Sequence, residues 1–217
     1  YVEFRSDQYK HEWLPTLDVK QVNGPAGRYY LTPEGKRYTS VTTFLAKNKA
    51  KDLDEWKASV GEDEAKRVSL RASTRGTQLH ENVENYLLNH SVYIPKINML
   101  DLSLMRSIQP LLQPINNIRL QESPLYSHSL KLAGTLDLFA DYDGVPSIID
   151  FKTSSKIKNK YEIENYFVQT SIYAIMIYER YGINVNQLVI IIAQEFGKGQ
   201  VFIEHRKNWF KKIKELL

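Results

Sequence analysis

The chain of 217 residues contains no cysteine. This absence excludes disulfide bonds, zinc sites built on thiolates, and iron–sulphur clusters. It is also typical of proteins from reducing compartments, in which disulfides are rare.

The sequence also lacks any run of 18 apolar residues, so it predicts no segment that spans a membrane. It shows no signal peptide, no internal repeat and no low-complexity linker. We therefore expect one domain over residues 1–217, in an intracellular protein. A monomer is the expected state.

Neither sign of charge is in large excess. The chain contains 29 Lys and Arg and 25 Asp and Glu, which gives a net charge of +4. The isoelectric point near 9.0 slightly favours a polyanionic partner. A hydrophobic content of 42% is ordinary for a globular protein with a core.

Two apolar strands in the segment "GTLDLFADYDGVPSIIDFKTSS" each carry an aspartate near the middle. The Asp143-Gly144 pair between them is a strong signal for a two-residue hairpin turn. That turn places Asp137 directly opposite Asp150 and puts Lys152 on the same face as Asp150. Pro146 lies near the turn, and a slip of one residue would break this match.

This hairpin has two interpretations. Facing carboxylates repel, and their burial is costly without compensation. The first interpretation is an ion-paired or partly exposed cluster with Lys152 as the counter-ion. The second is a site for a hard divalent cation such as Mg²⁺ or Mn²⁺, for which one or two carboxylates with water and phosphate are sufficient ligands.

The rest of the chain divides into three parts after a polar segment, residues 1–28, for which we expect at most a short strand. Residues 29–39 predict a hairpin, and residues 40–118 are mostly helical, with Ser40 as a cap. Helices are expected over 51–89, broken at Gly61, and over 98–109, where Pro110 disturbs the continuation. Residues 118–217 predict the order β-β-β-α-β-β, with a first strand at 118–122 and a long helix over 160–181. This order favours a mixed sheet flanked by helices.

Further candidates for a site lie upstream and downstream of the hairpin. His80 and Glu84 share a helix face, and Gly76 one turn earlier predicts a close backbone approach. Gln169 and Tyr173 are one helical turn apart, and both can hydrogen-bond phosphate or carboxylate. A lone helical histidine is more often a surface or core residue than a ligand, so the spacing alone leaves both interpretations open.

Taken together, these pieces resemble a known motif series. "RGTQLHENVE", "GTLD", "DFK" and "QTSIY" resemble, in order, the motifs of RecB-like nucleases in the PD-(D/E)XK superfamily. "SVTTFL" at residues 40–45 is similar to a segment of the mitochondrial genome maintenance exonucleases and related phage exonucleases. The resemblance covers residues 40–175 and does not reach the first 28 residues.

The resemblance implies an α/β fold with a PD-(D/E)XK restriction-endonuclease-like core and a helical N-terminal insertion or arch over 40–118. It implies a Mg²⁺- or Mn²⁺-dependent DNA exonuclease that prefers single-stranded ends, in replication, repair or recombination. The implied locations are a host cytoplasm for a phage protein and the mitochondrial matrix for an organellar one. The implied roles are metal binding by His80, Asp137, Asp150 and the Phe151 carbonyl, and catalysis by Lys152 with Asp137, Asp150, Gln169 and Tyr173. Glu84 and Glu122 are implied to support the metal indirectly, through its ligands or through a water molecule.

Arg67, Arg71 and Arg75 recur every fourth residue before His80, and Lys156 and Lys158 follow the lysine strand. These residues are candidates for a track that binds DNA phosphates, although a solvated helix face is an equal alternative for the arginines. A duplex-end exonuclease, a structure-specific endonuclease and a DNA-binding module with a vestigial site remain the alternative functions.

Overall fold

The computed structural model describes residues 1–47 and 50–217, and within them the chain forms ten strands and six α-helices. In chain order these are β1 (Val2–Phe4), β2 (Lys20–Gly24), β3 (Gly27–Leu31), β4 (Arg37–Ser40), α1 (Val41–Lys47), α2 (Ala50–Val60), α3 (Glu62–Leu87), β5 (Val92–Ile94), α4 (Met99–Leu112), β6 (Ile115–Ser127), β7 (Leu132–Tyr142), β8 (Val145–Ser154), α5 (Glu164–Tyr181), β9 (Gln187–Gln194), β10 (Gln200–His205) and α6 (Phe210–Leu216). Short 3₁₀ turns precede α5 and α6.

One mixed sheet of eight strands organises the molecule. Its order is β10-β9-β8-β7-β4-β3-β2, and β6 pairs with β7. Strands β6, β7 and β8 are antiparallel neighbours, and α5 connects β8 to its parallel neighbour β9. The predicted β-β-β-α-β-β order is therefore confirmed, and so is the α/β fold class with a mixed sheet between helices. Strands β1 and β5 form a separate two-stranded sheet.

Alternation along the strands builds a hydrophobic core on each face of the sheet. Leu138 and Ile149 pack with α3 and α4 on one face, whereas Phe139 and Ile148 pack with α1, α5 and α6 on the other. Because side chains alternate along a strand, Asp150 shares with Ile148 the face that α5 covers. In β7 the alternation is interrupted beside Asp137, since Leu136 packs on the α5 face and Leu138 on the other.

The predicted hairpin turn is confirmed between β7 and β8. Asp143 and Gly144 both have positive φ, 51° and 77°, as a turn of this kind requires. The ladder runs without a shift from the pair Tyr142–Val145 to the pair Leu138–Ile149. Pro146 pairs with Asp141 within this ladder and does not change the register.

The sheet forks beside this hairpin. Strand β6 follows one edge of β7, while the other edge pairs first with β4, at Leu132 and Ala133, and then with β8 from Leu138 onward. Between Ala133 and Leu138, this edge of β7 has no strand partner among the described residues. The gap opens the sheet at Asp137.

Two elements extend beyond their predicted bounds. Helix α4 was expected to end at residue 109, but it includes Pro110 and ends at Leu112. Proline removes one backbone donor, and this loss is small in the last turn, where Pro110 is also exposed. Strand β6 was expected over 118–122 and spans Ile115–Ser127. Its outer edge bonds to residues 10–14 around Ile118, but at Pro124 this edge has no strand partner among the described residues, so the missing N–H is tolerated.

The predicted helical region forms helices α1 to α4, and the signals predicted for its first helix boundaries are present. Gly61, with φ of 87°, separates α2 from α3 as expected, and Ser40 accepts a hydrogen bond from the Thr43 N–H at the start of α1. The second half of α3 contributes Leu79 and Val83 to the core. The arch over 40–118 stays a prediction, and residues 48 and 49 lie outside the described residues. No helix in the described ranges is both long and apolar enough to cross a membrane.

Candidate active site

Three neighbouring strands place three carboxylates in one row across the sheet. The β6–β7 pairs Gln121–Leu138 and Ser123–Leu136 flank Glu122 and Asp137, so the register sets these two residues opposite each other. The β7–β8 ladder ends at the pair Leu138–Ile149, and Asp137 and Asp150 are the next residues on the two strands. We call Glu122, Asp137 and Asp150 the carboxylate row.

His80 reaches the carboxylate row from α3, on the opposite side of the sheet from α5. Its Nδ1 lies 3.4 Å from Glu122 Oε1 and 3.5 Å from Asp137 Oδ1. The gap in the β7 edge beside Asp137 accounts for this approach from the other face. The three residues each offer a ligand atom, and these atoms lie within 4.8 Å of one another.

The pKa values of His80 and Asp137 are raised at this site. Burial lowers the pKa of His80, but the hydrogen bond to Glu122 and the charges of Asp137, Glu122 and Asp150 outweigh burial and raise this pKa to about 9. Burial, followed by the charge of Asp150, raises the pKa of Asp137 well above its usual value. His80 and Asp137 therefore hold protons more tightly than usual, and a bound cation would displace these protons.

Asp150 is 2% exposed and lies beside Lys152. The Lys152 Nζ is 2.8 Å from Asp150 Oδ2 and donates a hydrogen bond of 3.1 Å to Gln169 Oε1 on α5. Asp150 and Lys152 thus form an ion pair, and the Asp150 Oδ2 atom is itself buried. In the neighbouring Asp137, the Oδ2 atom accepts a hydrogen bond of 2.9 Å from the Phe151 N–H.

Lys152 remains a cation in these surroundings. Burial lowers its pKa, but the charges of Asp150 and Asp137 outweigh burial and raise it. The ammonium also lies 4.8 Å from the centre of the Tyr166 ring. Lys152 is thus a fixed positive charge beside the carboxylate row rather than a base.

Gly134 explains how Tyr173 fits beside the row. A Cβ at residue 134 would lie 2.7 Å from the Tyr173 Oη and 2.9 Å from its ring. Only glycine leaves room for this ring against the unpaired edge of β7. Tyr173 is 2% exposed, and burial raises the pKa of its phenol, which stays protonated as a hydrogen-bond donor.

The residues present fit a divalent cation. Two carboxylates and one imidazole converge, and a third carboxylate, that of the buried Asp150, is paired with Lys152. Oxygen ligands suit hard cations, and a cation would offset the repulsion within the row. Glu122 lies with His80 and Asp137 at ligand distances, so it is as well placed for direct coordination as for the indirect role that the sequence predicted.

The row forms the floor of a cleft of about 620 Å³. One wall is α3, and the other consists of β2, β3 and the start of α1. Glu84 also lines this cleft, and burial and then the charge of Glu122 raise its pKa. Lys152, Gln169 and Tyr173 line it too, so the structure brings together the predicted site residues from all four motifs.

The predicted phosphate track lies elsewhere. Arg67, Arg71 and Arg75 line a separate groove beside the start of α4. Arg75 is largely buried, pairs with Glu195, and donates to Thr153 Oγ1 at 3.0 Å. Arg71 lies 3.3 Å from the same Glu195, and Arg67 pairs with Glu64.

The two lysines after β8 are also paired. Lys156 Nζ and Lys158 Nζ each lie 3.8 Å from Glu162 Oε2. Their contact with DNA, like that of the arginines, stays a prediction. The same holds for the Phe151 carbonyl as a ligand.

Sequence reasoning missed two residues near the site. Glu195 is 3% exposed and follows β9, and an acid directly after an apolar strand was the available signal. Arg28 lines the cleft from β3, in the segment for which the sequence suggested no function. No local pattern marks Arg28, because its place depends on the pairing of β4 with β7.

Comparison with known proteins finds relatives of one kind. The chain is 30% identical over 128 residues to "Mitochondrial genome maintenance exonuclease 1" of Homo sapiens, covering 55% of this chain and 37% of that protein. It is 30% identical over 118 residues to the Mus musculus protein of the same name, covering 51% of this chain and 35% of the relative. The match therefore spans little more than a third of each relative's length. No family model matches the chain.

A solved structure described as "Putative exonuclease", from Eubacterium rectale, covers 67% of this chain and 62% of its own. The TM-score is 0.48 and the sequence identity is 13%. The sequence relatives confirm the predicted resemblance to the mitochondrial genome maintenance exonucleases, and with the mixed sheet and its flanking helices they support a PD-(D/E)XK-like nuclease core.

Proposed function

We propose that this chain is a metal-dependent DNA exonuclease that hydrolyses phosphodiester bonds and prefers single-stranded ends. The observation that carries the proposal is the carboxylate row with His80 and Lys152 beside it, at the floor of an open cleft. A row of neighbouring acids is unfavourable in a fold without compensating positive charge, and a bound cation would add to the compensation by His80 and Lys152.

Mg²⁺ or Mn²⁺ would be held by Asp137, Asp150, Glu122 and His80. When bound, such an ion lowers the pKa of a coordinated water and polarises a phosphoryl oxygen. The chain positions these ligands by strand register and by α3. Asp137 is oriented by the Phe151 N–H, which leaves its Oδ1 directed toward His80.

Lys152 would act on the phosphate as a fixed cation. Its raised pKa keeps it charged at neutral pH, and Asp150 and Gln169 hold its ammonium in place. A preorganised positive charge stabilises the negative charge that develops on the phosphoryl oxygens in the transition state. Gln169 thereby acts through Lys152, and Tyr173 offers its hydroxyl to the same cleft.

The relatives support this proposal in its coarse form. Both curated relatives are named as exonucleases, which supports a nuclease function. DNA as the substrate, preference for single strands and a part in replication, repair or recombination belong to our proposal. The mitochondrial location implied by the relatives' names is proposed on the same footing, beside a host cytoplasm for a phage protein.

The test is incubation with end-labelled linear single-stranded, linear duplex and circular single-stranded DNA, each with Mg²⁺, with Mn²⁺, and with a chelator. We expect mononucleotides or short products from the linear single strand only, and complete loss of cleavage on chelation that reverses when metal returns.

The same assay decides the alternatives. Faster digestion of the duplex would indicate a recombination exonuclease, and nicking of circles would indicate an endonuclease and would contradict entry by an end. Binding without cleavage of any substrate would replace the enzyme by a DNA-binding module and would contradict the proposal.

A further inference from the structure

The cleft above the carboxylate row has an acidic floor. Five carboxylates line it: Glu81, Glu84, Glu122, Asp137 and Asp150. Among the described residues that line the cleft, Lys and Arg occur only as Lys152 and Arg28. Lys152 is held by Asp150 and Gln169 at the floor, so Arg28 is the basic side chain on the walls that no described carboxylate holds.

Arg28 is exposed, and its own contact is weak. Its Nε lies 3.5 Å from Asn23 Oδ1, the limit of a hydrogen bond. The guanidinium therefore remains open to a second partner. A polyanionic chain that approaches five carboxylates needs such a cation, because the floor alone repels phosphate.

The wall that carries Arg28 is tied to the floor. Tyr30, two residues after Arg28, lies in the core, and its hydroxyl is 2.9 Å from Thr135 Oγ1 on β7. Thr135 comes two residues before Asp137. The position of Arg28 is thus set relative to the carboxylate row by the sheet itself.

The opposite wall is the face of α3 around Gly76. Glycine is a weaker helix former than alanine, yet Gly76 lies in the interior of the 26-residue helix α3. A Cβ at Gly76 would meet no described atom within 4 Å, so the predicted backbone approach at this glycine is wrong. The free space lies on the side of the cleft, and Ser73 and Thr77 flank it.

We propose that Arg28 and the Gly76 face of α3 form a slot that binds the backbone of a single nucleic-acid strand next to the carboxylate row. Arg28 pairs with a phosphate, and Gly76 leaves the width that the strand needs. The slot rests on the proposed nuclease function and adds the residues that hold its substrate.

The first test is binding of a labelled single-stranded oligothymidylate, followed by fluorescence anisotropy in EDTA, where no cleavage occurs. Arg28→Ala should weaken binding about tenfold, the effect of one lost charge-assisted contact. It should also lower the slope of log affinity against log salt by roughly 0.7, the value for one phosphate of a single strand. Lys36→Ala is the matched control, because Lys36 is exposed in the β3–β4 turn outside the cleft.

The second test narrows the slot from the other wall. Gly76→Leu should weaken oligothymidylate binding by tenfold or more and leave Mn²⁺ affinity unchanged. Ser69→Leu places the same side chain at an exposed position of α3 outside both the cleft and the arginine groove, and should bind normally. Gly76→Ala should raise the melting temperature by about 2–4 °C, since alanine favours the helix and no protein atom opposes its Cβ.

The outcomes separate the slot from the proposed function. Cleavage by the wild type together with unchanged binding by Arg28→Ala and Gly76→Leu overturns the slot alone. Binding that depends on both residues in a protein that cleaves no DNA keeps the slot and removes the nuclease. A wild type that neither binds nor cleaves overturns both.

Discussion

At the scale of single residues, the three acids of the carboxylate row differ in the local interaction or backbone conformation that positions each side chain. Asp137 accepts a backbone N–H, Asp150 pairs with Lys152, and Glu122 occupies a backbone position with φ of 42°. A positive φ is unfavourable for a glutamate and persists where the surroundings impose it. In this chain it occurs where the carboxylate meets His80.

Lys152→Ala is expected to lower kcat by about 10²–10³-fold, the usual effect of removing one fixed charge that stabilises a transition state. Affinity for Mn²⁺ should not fall, because no metal ligand is removed. Steady-state cleavage of linear single-stranded DNA measures the first quantity, and calorimetry measures the second. Lys211→Ala on the exposed side of α6 serves as the control, and a wild-type rate in Lys152→Ala would contradict the role of this ammonium.

Metal binding should release protons from the row. His80, with a pKa near 9, and Asp137, whose pKa is raised by burial and by Asp150, both carry protons that a cation displaces. Affinity for Mn²⁺ should therefore rise with pH up to about 9. Without metal the sign is opposite, since the raised pKa of His80 stabilises the fold fully below pH 6.5, and this contribution is lost as the pH rises through about 9.

Calorimetry at pH 7 in buffers of different ionisation enthalpy measures this release directly. His80→Ala should release about one proton fewer per ion bound than the wild type. Equal proton release by the two proteins would mean that His80 is neutral before the ion arrives.

At the scale of elements, the site depends on how closely two helices approach the forked sheet. Helix α5 brings Tyr173 against Gly134, and α3 brings His80 through the gap beside Asp137. The absence of a side chain at Gly134 leaves room for Tyr173, and the unpaired edge of β7 leaves room for His80.

Gly134→Ala should lower the free energy of unfolding by about 1–3 kcal/mol, because the new methyl group overlaps the Tyr173 ring. The cost should shrink when Tyr173→Leu is introduced first, and a double-mutant cycle by chemical denaturation measures this coupling. Gly76→Ala is the contrasting variant, since no described atom crowds its Cβ. Equal effects of the two alanines would show that the Tyr173 contact is not the constraint.

Helix α3 is fixed to the end of the parallel strands by Arg75 and Glu195. Glu195→Gln keeps the shape of the side chain but leaves Arg75 buried without a carboxylate, so we expect a loss of about 3 kcal/mol in unfolding free energy. Glu64→Gln breaks the exposed pair with Arg67 and should change stability by less than about 1 kcal/mol. Thermal and urea unfolding compare the two, and similar small losses would mean that the buried pair does not fix α3.

At the scale of the whole molecule, the sequence predicted the features that depend on residues close together in the chain. The Asp143-Gly144 turn determined the β7–β8 register, which runs as far as Leu138–Ile149, one pair short of Asp137 and Asp150. Motif spacing placed His80 and Gln169 on the correct helices. Apolar alternation was sufficient for the mixed sheet and the helices that flank it.

What the sequence did not predict depends on contacts between distant segments. The fork exists because β4 and β8 pair with different parts of one edge of β7, and no local pattern encodes this division. The cleft position of Arg28 and the burial of Glu195 follow from it and from the parallel β8–β9 pairing. The arginine pattern on α3 suggested phosphate binding, whereas Arg75 is used inside the protein.

The two branches of the fork are expected to differ in their stability against local unfolding. Strand β4 joins β7 through two residue pairs, whereas β8 and β9 share eight. The unit β2–β3–β4 therefore has the lower barrier to local unfolding, and its amides should exchange with deuterium earlier than those of β8 and β9. Mass spectrometry of peptides over 20–40 and 147–154 measures the difference, and equal protection would contradict it. One wall of the cleft would then be rigid and the other would fluctuate, so that the width open to a strand varies with temperature while the carboxylate row stays intact.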